Sequence, residues 1–67
     1  MRVTKAMVNS YIDRFNNHVT DEKKVTLNQQ NGSYLIETDN GGAVYTGLTL
    51  RESYMCVRGM LHAIGQL

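Results

Sequence analysis

Cys56 and the two histidines, His18 and His62, are the residues of this chain best equipped for covalent or metal chemistry. A cysteine nucleophile needs a base within hydrogen-bond reach and a third group that orients the base. Cys56 and His62 fall on one predicted helix, where their spacing turns through about 600° and rises roughly 9 Å. They cannot meet within one copy of the chain. Cys56 also sits in an apolar stripe, so a buried and inert thiol is expected. Neither histidine has cysteine or paired carboxylates at ligand spacing, and no metal site is expected. Among the carboxylates, Asp39 suits a turn, Glu52 suits a helix cap, and Asp21 and Glu22 suit a solvated loop; none forms an acid–base pair. Asn40-Gly41-Gly42 leads into a strand and lacks the Lys-Ser/Thr that a phosphate loop requires. Tyr11, Tyr34, Tyr45 and Tyr54 are placed at core edges with wet hydroxyls. These residues predict no catalytic group, no cofactor and no enzyme.

The elements that position them belong to a single small domain, residues 1–67. A chain of this size hides only about 60 % of the surface that its unfolded form exposes. Its core is expected to supply no more than roughly 3–5 kcal/mol without a staple. One cysteine excludes an internal disulfide, which leaves a partner subunit as the available staple. Seven Lys+Arg against six Asp+Glu give a net charge of +1, without the clustered excess typical of a nucleic-acid binder. The polar opening, Met1 to Phe15, predicts no signal peptide, and no apolar run has membrane-spanning length. An intracellular, cytoplasmic protein is expected, with neither membrane nor nucleic acid as its partner.

Val3 to about Val19 has helical periodicity, with Thr4 as N-cap and Val3 stapled onto Val8. Val8, Tyr11, Ile12, Phe15 and Val19 define its buried face. Lys5, Asn9, Asp13, Asn16 and Asn17 fall on the opposite side. Residues 24–29 then alternate, and Asn31-Gly32 suits a two-residue type I′ turn. That turn sets Gln29 against Tyr34, Leu27 against Ile36 and Val25 against Thr38. Val25, Leu27, Tyr34 and Ile36 thereby share one face, while Thr26, Asn28, Leu35 and Glu37 share the other. A second reversal at residues 39–42 returns a third strand. A two- or four-residue loop, the preferred reading, puts Ala43 and Tyr45 on the apolar face with Tyr45 opposite Ile36; a three-residue loop puts Val44 and Thr46 there instead.

Residues 49–67 read as the last helix, with Thr49 and Glu52 at capping-box spacing. Leu50, Tyr54, Val57, Leu61 and Ile64 form a stripe to cover the sheet. The predicted fold is α+β, in the order α-β-β-β-α: a three-stranded antiparallel meander with two helices on one face. Its expected core is Val8, Ile12, Phe15, Leu27, Ile36, Tyr54, Val57 and Leu61. Cys56, Gly59, Met60, Ala63 and Leu67 form a second stripe on the last helix. That stripe either packs under the first helix or associates with a second copy as a homodimer. Arg51, Arg58, His62, Lys23 and Lys24 are the candidate contacts to a partner or to nucleic acid.

The element order is similar to that of double-stranded-RNA-binding domains, which use a histidine-bearing loop and a lysine cluster opening the last helix. Here the loop is Gln30-Asn31-Gly32, and Arg51 is the one basic residue where the last helix begins. The topology is shared without the contact residues, and topology alone does not transfer function. A second likeness covers residues 31–61. The stretch NGSYLIETDNGG, followed by TGLTLRESYMCVRGML, resembles small bacteriophage- and prophage-encoded proteins with an Asn-Gly hairpin and a T-x-R-E-x-Y helix start. This resemblance implies a phage accessory protein that binds a host protein, as an inhibitor or modulator, in the bacterial cytoplasm. The alternative is a regulator that contacts nucleic acid.

Overall fold

The computed structural model describes residues 2–39 and 41–66. Their order is α1 (Lys5–Asn16), a 3-10 turn (Asp21–Lys23), β1 (Val25–Gln30), β2 (Ser33–Thr38), β3 (Ala43–Leu48) and α2 (Leu50–Ala63). The three strands form one antiparallel sheet in the order β1-β2-β3. Both helices lie on its apolar face, as the alternation and the helical periodicities require. The fold is α+β.

Thr4 caps α1, its hydroxyl accepting the Met7 N–H at 3.2 Å. Val8, Ile12 and Phe15 turn inward. The helix ends at Asn16 rather than near Val19, and the reason is tertiary. The Asn16 amide donates to the Val25 carbonyl and accepts the Val25 N–H, both at 2.9 Å. In effect the side chain substitutes for a neighbouring strand at the outer edge of β1. Asn16 was expected on the solvent side of the helix; it is half-buried and joins two elements instead.

The first hairpin has the register that its Asn-Gly turn predicts. Leu27 pairs with Ile36, Gln29 with Tyr34 and Val25 with Thr38. Asn31 and Gly32 both have positive φ, 52° and 82°, as a type I′ turn demands. The second reversal is less regular, and Asn40 lies outside the described residues. Thr38 holds it: its N–H donates to the Gly42 carbonyl at 2.8 Å, and its carbonyl accepts the Gly41 N–H at 2.9 Å. Tyr45 stands opposite Ile36 as expected, whereas Ala43 stands opposite Glu37 and departs from the predicted apolar face. Two irregularities in β3 account for this. One inserts a residue at Val44. The other lies between Tyr45 and Leu48, where Gly47 takes φ +67° and returns Leu48 to a position opposite Tyr34. A bulge with glycine in the left-handed region bends a strand and raises its twist.

Thr49 and Glu52 form the capping box that begins α2, with the two reciprocal bonds at 2.8 and 3.1 Å. The helix stops at Ala63 in a Schellman arrangement: Gly65 N–H donates to the His62 carbonyl and Gln66 N–H to the Leu61 carbonyl. The helix was expected to continue to residue 67. The early stop moves Ile64 off the buried stripe, and it is 37 % exposed. The buried core is Val8, Ile12, Phe15, Val25, Ile36, Tyr54, Val57 and Leu61. Relative to expectation, Val25 replaces Leu27, which packs against the core from its margin. The Asn16 bridge brings the Val25 end of β1 under α1. Ser53 is the one buried polar residue of the described chain, and its hydroxyl donates to the Thr49 carbonyl at 2.9 Å.

Candidate functional site

The side of α2 that faces α1 is closed by aromatic packing. Tyr54 meets Tyr11 with ring centroids 5.4 Å apart and planes inclined at 53°, a tilted geometry that the ring quadrupoles favour. The side of α2 that faces β3 is open. There, Tyr45, Met55, Cys56, Gly59, Met60 and Ala63 line a shallow groove of about 520 Å³. Four of the five residues expected to form the second stripe of this helix line it: Cys56, Gly59, Met60 and Ala63. Leu67, the fifth, lies outside the described residues. Of the two occupants weighed for this stripe, α1 is not the one seated on it. Tyr45 supplies the opposite wall because the register places it beside Ile36, on the helix side of the edge strand.

Gly59 is the low point of the crest between this groove and the far shoulder of α2. Met55 and Gly59 also border a second depression, lined by Arg58 and His62. Arg51 lies two turns before Arg58 on the same shoulder. Arg58 extends over the Tyr54 ring, its guanidinium carbon 5.6 Å from the centroid. Among the described residues, neither Arg51 nor Arg58 forms a salt bridge; the one ion pair joins Lys24 to Asp21 at 2.9 Å. That pair holds the Asp21 carboxyl below its ordinary range, through the hydrogen bond first and the charge second. Lys23 and Lys24 precede β1, the edge strand that α1 covers, whereas α2 borders β2 and β3. The five basic candidates are therefore divided between two elements, with Arg51, Arg58 and His62 grouped on α2.

An interior helical glycine is about 1 kcal/mol less favourable than alanine, and nothing among the described residues requires one at 59. Beyond its chain neighbours and the backbone of its own helix, a Cβ built there meets no atom of the described residues within 4 Å. Gly59→Ala should therefore raise stability by about 1 kcal/mol. In a domain this small the corresponding rise in melting temperature is about 4–8 °C, readable by circular dichroism. An unchanged or lower melting temperature would show that Gly59 serves the monomer's own packing.

Cys56 is a free, half-buried cysteine on the groove wall, less enclosed than the apolar stripe implied. Burial, and after it the Glu52 carboxylate, pushes the thiol above its usual range. The thiolate is the reactive form. Labelling of the folded protein near neutral pH should therefore be much slower than labelling of the urea-unfolded chain, and should accelerate as pH rises. Equal rates in the two states would contradict the assignment. His62 lies across the crest of the helix from Cys56, so these two side chains do not form a nucleophile–base pair. Among the described residues, no three His, Cys, Asp or Glu side chains could hold a metal ion. No helix among them is long and apolar enough to cross a membrane. No protein-family model matches the chain, and no curated protein or solved structure is significantly similar to it.

Proposed function

We propose that this protein is a small non-catalytic binding module of the bacteriophage accessory type. It acts in the bacterial cytoplasm by occupying a surface of a host protein, as an inhibitor or modulator. The observation that carries the reading is the apolar groove on the outside of α2, bordered by Tyr45, Met55 and Met60 and left open by the chain's own fold. Tyr45 is 42 % and Met55 58 % exposed, a large apolar area for a domain with so small a core. Two guanidiniums, those of Arg51 and Arg58, stand across the crest and form no salt bridge among the described residues. The basic residues do not support the nucleic-acid alternative, since Lys24 is already paired and Arg51 stands alone where the helix begins.

Affinity capture from bacterial lysate with the wild type and with Met60→Lys tests the proposal. A host protein retained by the wild type and lost with Met60→Lys is the expected result. Tight binding of duplex RNA or DNA, with a log–log salt slope near one unit per neutralised phosphate, would replace this reading with the nucleic-acid one. The remaining occupant is a second copy. Sedimentation at high micromolar concentration identifies it as a dimer that Met60→Lys converts to monomer.

A further inference from the structure

We infer that the surface of α2 receives an amphipathic helix of the partner protein, laid along α2 at Gly59 with acidic residues flanking its apolar stripe; this rests on the binding reading above. Three features of the surface select that occupant. The first is shape. Met55, Gly59 and Ala63 recur every four residues along the crest, and Gly59 opens a notch between the groove and the far shoulder. The i±3 ridge of a second helix fits such an i±4 row at a crossing angle of about 20°. The second is charge. Arg51 and Arg58 lie on one shoulder and have no salt-bridge partner among the described residues. Their seven-residue spacing is about 10 Å along the axis, which equals two turns of a helix running beside α2. Acidic residues seven apart on the partner's flank would meet both.

The third feature disfavours the other occupants. An antiparallel two-fold stacking of α2 on its own copy would set the Arg51–Arg58 shoulder beside itself. A parallel two-fold would set it beside the uncharged Tyr45 wall. The one carboxylate of α2, Glu52, is held by the Thr49 N–H in its capping box, so neither stacking brings an uncommitted acid to the arginines. Strand addition to the β3 edge would have to follow a strand that two irregularities bend, and bulges of this kind oppose edge pairing.

The test uses the full chain, uniformly labelled with ¹⁵N, and two synthetic helical peptides with the same leucine stripe. One carries glutamates along its flank at seven-residue spacing; the other carries lysines there. The glutamate peptide should shift the amides of Tyr45, Met55, Gly59, Met60 and Ala63, and should bind at least tenfold more tightly than the lysine peptide. Arg51→Glu with Arg58→Glu should invert that preference. Gly59→Leu should abolish binding while the rest of the spectrum keeps its folded dispersion, because the site of its Cβ is open. Equal binding of the two peptides, shifts centred elsewhere, or no binding of the glutamate peptide would overturn the inference. The broader reading is read separately. A host protein captured equally by the wild type and Gly59→Leu would retain the binding function and refute this mode. Failure of the wild type to retain any protein would refute the function with it.

Discussion

Ile36→Ala should unfold a large fraction of the protein at 25 °C. Ile36 is fully buried at the centre of β2. It pairs with Leu27 on one side and Tyr45 on the other, beneath both helices. Truncating a buried isoleucine to alanine costs about 2–5 kcal/mol, from lost transfer energy and from the cavity left behind. A single core of this size supplies no more than roughly 3–5 kcal/mol net, so the loss is comparable with the whole stability. Urea titration followed by far-ultraviolet circular dichroism measures it. The expected result is a curve without a native baseline, or one whose midpoint falls close to zero urea. Ile36→Val removes one methylene and should cost about 0.5–1.5 kcal/mol, with a shifted but complete transition. An Ile36→Ala midpoint within error of wild type would show that the sheet centre is not the core.

Asn16→Ala should have the second-largest effect, although the residue is polar and ends a helix. Its two hydrogen bonds serve the N–H and C=O of Val25, a residue only 2 % exposed. Leaving a buried backbone group unsatisfied costs about 1–3 kcal/mol. With two groups affected and some access for water, a loss of about 2–3 kcal/mol is expected. The same titration would read it, and hydrogen exchange at the Val25 amide should accelerate beyond the global change. Asn16→Asp sharpens the test. A carboxylate can still accept the Val25 N–H, but it opposes the Val25 carbonyl, and only the protonated acid can donate to that oxygen. Folding then favours the protonated form, so the variant should gain stability as pH falls through the carboxyl range. Wild-type stability after Asn16→Ala would show that the bridge contributes nothing.

These two positions differ in how far the sequence revealed them. Ile36 was legible because strand alternation and an Asn-Gly turn are local rules. A two-residue loop leaves a single pairing, and that pairing puts Ile36 beside Leu27 on the face that the helices cover. Both helix starts were legible for the same reason. Thr4 and the Thr49–Glu52 box act on backbone groups three residues away, so their signals lie within one turn of sequence. The candidate stripe on α2 followed from helical spacing in the same way.

Asn16 was not legible. Nothing within a turn of it distinguishes a solvated asparagine from one that meets Val25, because the partner is reached only after a connection and a 3-10 turn. The early stop of α2 was signalled by Gly65, but the reach of the apolar stripe to Ile64 and Leu67 argued for continuation. Backbone closure at Gly65 and Gln66 prevailed, and Ile64 went to the surface. The bulges in β3 could not be read from alternation, since an inserted residue cancels the parity on which alternation depends. Periodicity also could not decide which side of α2 stays open. A stripe of apolar residues specifies that something covers it, while the neighbour is chosen by where the chain places α1 and β3. Here Tyr11 reached Tyr54 and closed one side, and β3 curved past the other, leaving Met60, Gly59 and Tyr45 around an open groove.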